Sequence, residues 1–141
     1  MEITEQIKLR FTGVDFPSVQ VKSYKPYKES DDVKLKTNIQ PKVFIPKDSK
    51  HTFNIIMQVE IFAEDHFSLS VTAVGLFELS QEDVSEEIRN SFINENSPAI
   101  VFPYVRAFIS NLTSNLGRVT TPIVLPTRFF KGKLEHTQPE E

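Results

Sequence analysis

Three histidines, His51, His66 and His136, are the side chains best suited to proton transfer or metal ligation, and their placement supports neither. They fall at a strand start, in a turn and in the C-terminal tail, so no two share an element, and Asp65 beside His66 is too little for a metal site. His66 reads as an exposed turn histidine. The adjacent carboxylates Glu64 and Asp65 sit on the same tight turn, where both stay ionised in water rather than dividing into acid and base. With four glycines there is no Gly-x-Gly-x-x-Gly or Gly-Lys-Ser pattern to cradle a phosphate. The serines lack a nucleophile elbow, and the absence of cysteine removes thiolate and disulfide chemistry. These residues give no reason to expect an enzyme, a metal or a cofactor.

The distinctive side chains are apolar: 12 Phe and 3 Tyr with no Trp. Phenylalanine fills cores, and it also lines surfaces that hold apolar segments without directional hydrogen bonds. The elements that would position these aromatics begin with strands. Ile7, Leu9 and Phe11 alternate with polar residues, Gly13 and an Asp15-Phe-Pro17 turn interrupt, and Val19 and Val21 resume the alternation. Residues 24–32 form a polar crossover carrying Tyr24 and Tyr27. A second strand is expected over 33–39, with Pro41 and Pro46 restricting residues 43–45 to an edge or bulge.

A hairpin follows. Phe53, Ile55, Met57, Val59 and Ile61 share one face of its first strand, and Phe67, Leu69, Val71 and Ala73 one face of its second. Gly75 inside that strand marks a bulge or a close backbone approach. On the other face, Ile56, Phe62, Val74 and Leu76 are mixed with polar residues, which favours contact with another subunit over a simply solvated face.

Ser80 is the expected cap of a first helix with acids in its opening turn, and Val84, Ile88 and Phe92 form its single apolar seam. The polar run at 94–97 reads as a loop. Ser97 and Pro98 then open a second helix, Pro103 predicts a kink or restart, and Val105, Phe108, Ile109, Leu112 and Leu116 recur at helical spacing up to Gly117. Pro122-Ile-Val-Leu-Pro126 cannot continue a helix and reads as extended chain. Four strands followed by two helices predict an α+β domain, a four-stranded antiparallel sheet with two C-terminal helices packed on one side. Residues 1–130 form one domain, and 131–141 an acidic tail with little to bury, expected to be disordered.

A chain of 141 residues with a formal charge of −3 has no bulk attraction for nucleic acid or anionic lipid. Its lysines concentrate in the first third, along strands, where they protect edges. No apolar run approaches the ~20 residues of a membrane span, so no membrane insertion is expected. The start Met-Glu-Ile-Thr-Glu lacks a basic n-region and an apolar h-region, which with the lack of cysteine predicts a cytoplasmic protein.

The segment Ala99-Ile-Val-Phe-Pro-Tyr-Val-Arg106, the helix that runs on to Gly117, Val124-Leu-Pro126 with Phe129-Phe130, and Val74-Gly-Leu-Phe-Glu-Leu79 together resemble the SecB-type protein-export chaperones. The resemblance covers roughly Ile7 to Phe130 and is specific from Val74 onward. It implies an ATP-independent holdase, a homotetramer built as a dimer of dimers, that binds unfolded precursor polypeptides for Sec-dependent export and hands them to the translocation motor ATPase. It also implies apolar client grooves, for which Tyr24, Tyr27, Phe92, Phe102, Tyr104 and Phe108 are the candidates, and a subunit interface with Val84, Ile88, Ile56 and Val74. Where export members carry acidic positions for the motor, this chain has Ser18, Lys22, Ser68 and Ser70, and its tail is short. A SecB-like chaperone dedicated to an antitoxin or other single client is therefore the alternative, followed by a non-catalytic oligomer binding lipid-like molecules.

Overall fold

The computed structural model of the protein describes residues 7–49, 51–81, 84–127 and 134–136. Four long strands, β1 (Leu9–Ser23), β2 (Leu35–Phe44), β3 (Thr52–Ala63) and β4 (Phe67–Leu79), pair antiparallel in the order β1-β4-β3-β2. A two-residue strand, β5 (Glu135–His136), adds to β2 in parallel. The sheet is thus five-stranded and mixed rather than four-stranded and antiparallel. The extra strand comes from the segment expected to be disordered: Leu134 is buried there, and a short pairing of this kind leaves almost no signal in local sequence.

The Asp15-Phe-Pro17 segment does not end a strand. β1 runs through it with register shifts between Phe11 and Gly13 and between Asp15 and Ser18, so glycine and proline are absorbed as bulges on an edge strand. β2 likewise passes through Pro41, which pairs with Met57, because the missing N–H costs no ladder bond when it points away from the neighbouring strand.

Period-two burial follows the hairpin's alternation. Phe53, Ile55, Met57, Val59 and Ile61 on β3 and Phe67, Leu69, Val71 and Ala73 on β4 are all buried on one face. Each large side chain removed from water there contributes about 1.5–3 kcal/mol before chain entropy is counted.

That face is covered by a continuous helical unit, where two helices and a loop were expected. α1 (Glu86–Ser91) leads through a π-helical turn, Phe92–Asn96, into α2 (Ser97–Ser114). The cap is Ser85, whose Oγ accepts the Ile88 N–H at 3.3 Å. Ser80 instead joins the end of β4 to Lys8, accepting its N–H at 2.8 Å and donating its own to the Lys8 carbonyl at 2.9 Å. The polar run taken for a loop is held helical by its own side chains. Asn94 Nδ2 donates to Asn90 O at 2.8 Å, and Ser97 Oγ donates to Phe92 O at 2.6 Å. Ser97 N–H also bonds five residues back, to Phe92, and this widened turn precedes Pro98, which has no N–H to place in an α-ladder.

Val101, Val105, Ile109 and Thr113 form the buried stripe of α2, with Phe102 beside it. Val101 lies directly over Gly75, where any Cβ would collide with its side chain; the glycine permits close approach of helix and sheet. Beyond Gly117, in the left-handed region at φ 61, a short 3-10 turn, Gly117–Val119, leads into the extended arm. Ile123 and Leu125 of the arm are buried and Val124 is exposed. The arm is held by Thr113 Oγ1, which accepts the Ile123 N–H at 2.8 Å, and by Arg106 Nε, which donates to Leu125 O at 2.9 Å.

Candidate functional site

The helical cover lies over the middle of the sheet, and the face it protects is not closed at the flanks. Val19 and Val21 on β1, register partners of the buried Val71 and Leu69, stay 39% and 37% exposed. Leu35, opposite Ala63 on β2, is exposed at the other flank.

Along the β1 flank, aromatic rings connect core to surface. Phe53 stacks on Phe77 with centroids 5.3 Å apart, Phe77 meets Phe11 at 5.2 Å, and Phe11 meets Tyr104 at 5.3 Å. Tyr104, at 51% exposure, is the open end of this run. One helical turn on, Phe108 stacks on Phe16 at 4.1 Å with the ring planes 15° apart. Such pairs add about 0.5–1.5 kcal/mol beyond their buried area, so they hold β1 against α2 while leaving apolar edges to solvent. The result is an aromatic seam between strand and helix.

The expected groove residues divide. Tyr104 and Phe108 lie together on the seam. Phe102, expected there too, is a core residue at 3% exposure: it neighbours Val101 on the buried side of α2, and the rotation to Pro103 and Tyr104 is what first reaches solvent. Phe92 is half-buried against the core at the π-helical turn. Tyr24 turns to the opposite sheet face, its hydroxyl 3.5 Å from Ser68 Oγ and Lys22 Nζ 5.5 Å over its ring. Tyr27 N–H donates to Arg118 O at 2.6 Å, fastening the crossover to the turn after α2. Phe11 and Phe16 were not among the expected site residues. The first is an inward strand residue in regular register with Phe77, and the second reads as part of a turn but lies at the β1 bulge between Asp15 and Ser18.

The interface candidates also fall on two surfaces. Ile56 and Val74 are register partners on the sheet face away from the helix. Ile88 is exposed on α1, and Val84 is half-buried against the core. On the outer face, an open cleft of ≈ 460 Å³ is lined by Gln20, Lys22, Glu60, Phe62, Ser68 and Ser70 among others, with Glu60 its one carboxylate. Ser18, Lys22, Ser68 and Ser70 share that face, as the pairings Ser18 with Thr72 and Lys22 with Ser68 require.

His66 is buried at 8% exposure, contrary to its expected exposure in the turn. Its Nε2 lies 3.3 Å from Asp31 Oδ2 and its Nδ1 2.9 Å from Glu64 O. The backbone carbonyl of His66 accepts the N–H groups of Tyr24 at 2.7 Å and Lys25 at 3.1 Å. The crossover folds over the turn, and that burial is invisible in the turn's own sequence. Among the described residues, no group of three or more His, Cys, Asp or Glu is arranged to hold a metal, and no helix is long and apolar enough to cross a membrane.

An edge-rich sheet, one long helical unit laid across it and an aromatic seam between β1 and α2 make up the described architecture. The class is the α+β fold of the SecB chaperones. The family model described as "Preprotein translocase subunit SecB" matches residues 14–127, and the chain belongs to that family. An uncharacterized protein of Methanocaldococcus jannaschii is 29% identical over 143 residues, covering 98% of this chain and 90% of that protein. The fold is shared with the Rv1957 SecB-like chaperone of Mycobacterium tuberculosis, solved in complex with a ChAD peptide from the HigA1 antitoxin. That structure superposes with a TM-score of 0.69 at 15% identity, over 84% of this chain and 89% of that one.

Proposed function

We propose that this protein is an ATP-independent chaperone that holds extended apolar segments of non-native polypeptides along the β1–α2 seam. The observation that carries the reading is the aromatic run from Phe53 through Phe77 and Phe11 to the exposed ring of Tyr104, with Val19 and Val21 exposed farther along the same strand. Such a surface gains about 25 cal/mol per Å² of apolar area buried, less the cost of ordering the client. The binding is sequence-tolerant because it rests on area and on the free edge of β1 rather than on a polar constellation.

Within this function, a dedicated client fits better than general export. The outer face carries Ser18, Lys22, Ser68 and Ser70 where an acidic patch would dock an export motor ATPase, and the cleft among them holds a single carboxylate, Glu60. The antitoxin peptide bound by the mycobacterial protein supports the same direction. Delivery of precursors to the Sec motor is the second reading, favoured by family membership. A cytoplasmic dimer of dimers belongs to the proposal in either case, with Ile88 on one contact surface and the Ile56–Val74 pair on another.

The test is aggregation of a slow-folding protein diluted from urea, followed by light scattering without nucleotide. Suppression near one tetramer per client, weakened by Tyr104→Ser and by Val21→Ser, is the expected result. Failure to suppress at several-fold excess, together with no saturable binding of apolar peptides, would sink the chaperone reading. Suppression without binding to the motor ATPase would select the dedicated form.

A further inference from the structure

The second edge of the sheet is already occupied, and its occupant is part of this chain. Glu135 and His136 pair in parallel with Lys42 and Val43, and both are exposed. The residue before them is not: Leu134 is 4% exposed and belongs to the same buried cluster as Val43 and Ile93. Its N–H donates to Asn94 Oδ1 at 2.7 Å, while Asn94 Nδ2 is held by the Asn90 carbonyl at 2.8 Å. Asn94 therefore stands in the π-helical turn with its amide oriented and its oxygen offered to a passing main chain. Turns of this kind interrupt helices where a function requires it.

These contacts are of two types. The Asn94 bond and the β2 pairing are made to backbone and are indifferent to sequence; the socket of Leu134 accepts one aliphatic side chain. This is recognition by strand addition with a single anchor. The pairing spans only Lys42 and Val43, and no other strand lies along that side of residues 35–41 among the described residues. A longer segment has more edge to pair with than Glu135 and His136 use.

We infer that the β2 edge at Lys42–Val43, the Leu134 socket and Asn94 form a docking site for an extended polypeptide segment with one aliphatic anchor, and that Leu134–His136 occupy this site in cis. The inference rests on the polypeptide-binding reading above and adds to it a second site and its resident competitor. Tethering gives the tail a high effective concentration, so only partners that pair beyond Lys42 and Val43 displace it. The tail then acts as a filter against short or weakly apolar segments.

The experiment uses the full chain. Leu134→Asp places a carboxylate in the apolar socket and releases the tail. A labelled nonapeptide of the tail sequence, Lys-Gly-Lys-Leu-Glu-His-Thr-Gln-Pro, is titrated by fluorescence anisotropy. The expected result is saturable binding to the variant, tighter than to the unaltered chain by about ten-fold or more, and lost when the peptide's own leucine is Asp. Asn94→Ala added to the variant should weaken that binding. A folded Leu134→Asp variant with no gain in peptide binding would overturn the inference. So would unfolding of both Leu134→Asp and the milder Leu134→Ala, because a segment on which the fold depends cannot be exchanged for a partner. Aggregation suppression by the unaltered chain, measured alongside, separates the two readings. If it persists while the peptide fails to bind, only the tail site falls; if both fail, the chaperone reading falls with it.

Discussion

His66 Nε2 lies 3.3 Å from Asp31 Oδ2, joining the β3–β4 turn to the crossover loop across a sequence separation of 35. Both imidazole nitrogens face acceptors, so the protonated ring satisfies them best. The Glu64 carbonyl, and then the Asp31 carboxylate, raise the His66 pKa above its ordinary 6.5, while burial and, less, Lys25 oppose the shift. Asp31 is held below its usual range first by the Lys28 N–H, 3.0 Å away, and then by His66.

The sign follows from the two directions. The His66 contribution is complete below 6.5 and is lost as pH rises through the folded-state value above it. The Asp31 contribution is complete above 3.8 and is lost as pH falls through its depressed value. Between about pH 4 and pH 6.5 both are present, so this tie is firmest in mild acid. Exchange of the Tyr24 and Lys25 amides, corrected for intrinsic rates, should therefore speed up from about pH 6 to pH 8.5. In His66→Gln that pH dependence should vanish; its survival would show that another group governs the crossover.

Phe102 and Tyr104 lie two residues apart on α2 and should behave oppositely. Phe102→Ala empties a core position and should cost about 3–5 kcal/mol in urea unfolding. Tyr104→Ala removes a ring that is half in solvent. It should cost about 1 kcal/mol or less in stability, while raising the dissociation constant for an apolar client peptide. Equal stability losses in the two variants would mean that Tyr104 is core in the assembled protein.

Gly75→Val would set a branched side chain against Val101 at the closest approach of helix and sheet. Overpacking here should destabilise the fold by about 1–3 kcal/mol. Pairing it with Val101→Ala should recover part of that loss, whereas additive losses would argue against direct contact.

Thr113 Oγ1 donates to Ile109 O at 2.7 Å and accepts the Ile123 N–H at 2.8 Å, so one hydroxyl fastens the extended arm to α2. Thr113→Val keeps the shape but leaves a buried N–H unpaired, a cost of about 1–3 kcal/mol. Faster proteolysis within residues 120–126 than within α2 would locate the lesion in the arm; uniform protection would contradict it.

The candidate site is proposed from residue types, and its positions come from the fold. Tyr104 and Phe108 stand out because they share a helical face beside a proline, and the family-like segment around them is distinctive. Phe11 and Phe16 did not, since Phe11 reads as any inward strand residue and Phe16 as part of a turn, and only the fold sets Tyr104 and Phe108 against them. Phe102 is buried, which aromatic type does not reveal because it says nothing about which side of the helix meets the sheet. Tyr24 lies on the Ser68 face, which its sequence does not reveal because a crossover can leave the strand toward either face.

The alternation of β3 and β4, their hairpin and the apolar spacing of α2 were determined by the sequence alone, because period-two and period-3.6 patterns each admit one buried face. The tertiary structure decided the rest. It kept 94–97 helical through side-chain bonds and a widened turn, buried His66 against Asp31, and drew Leu134 and two further residues onto the edge of β2. The last two depend on a partner far along the chain, for which the local sequence carries no period and no cap, whereas the 94–97 turn is held from only four and five residues back.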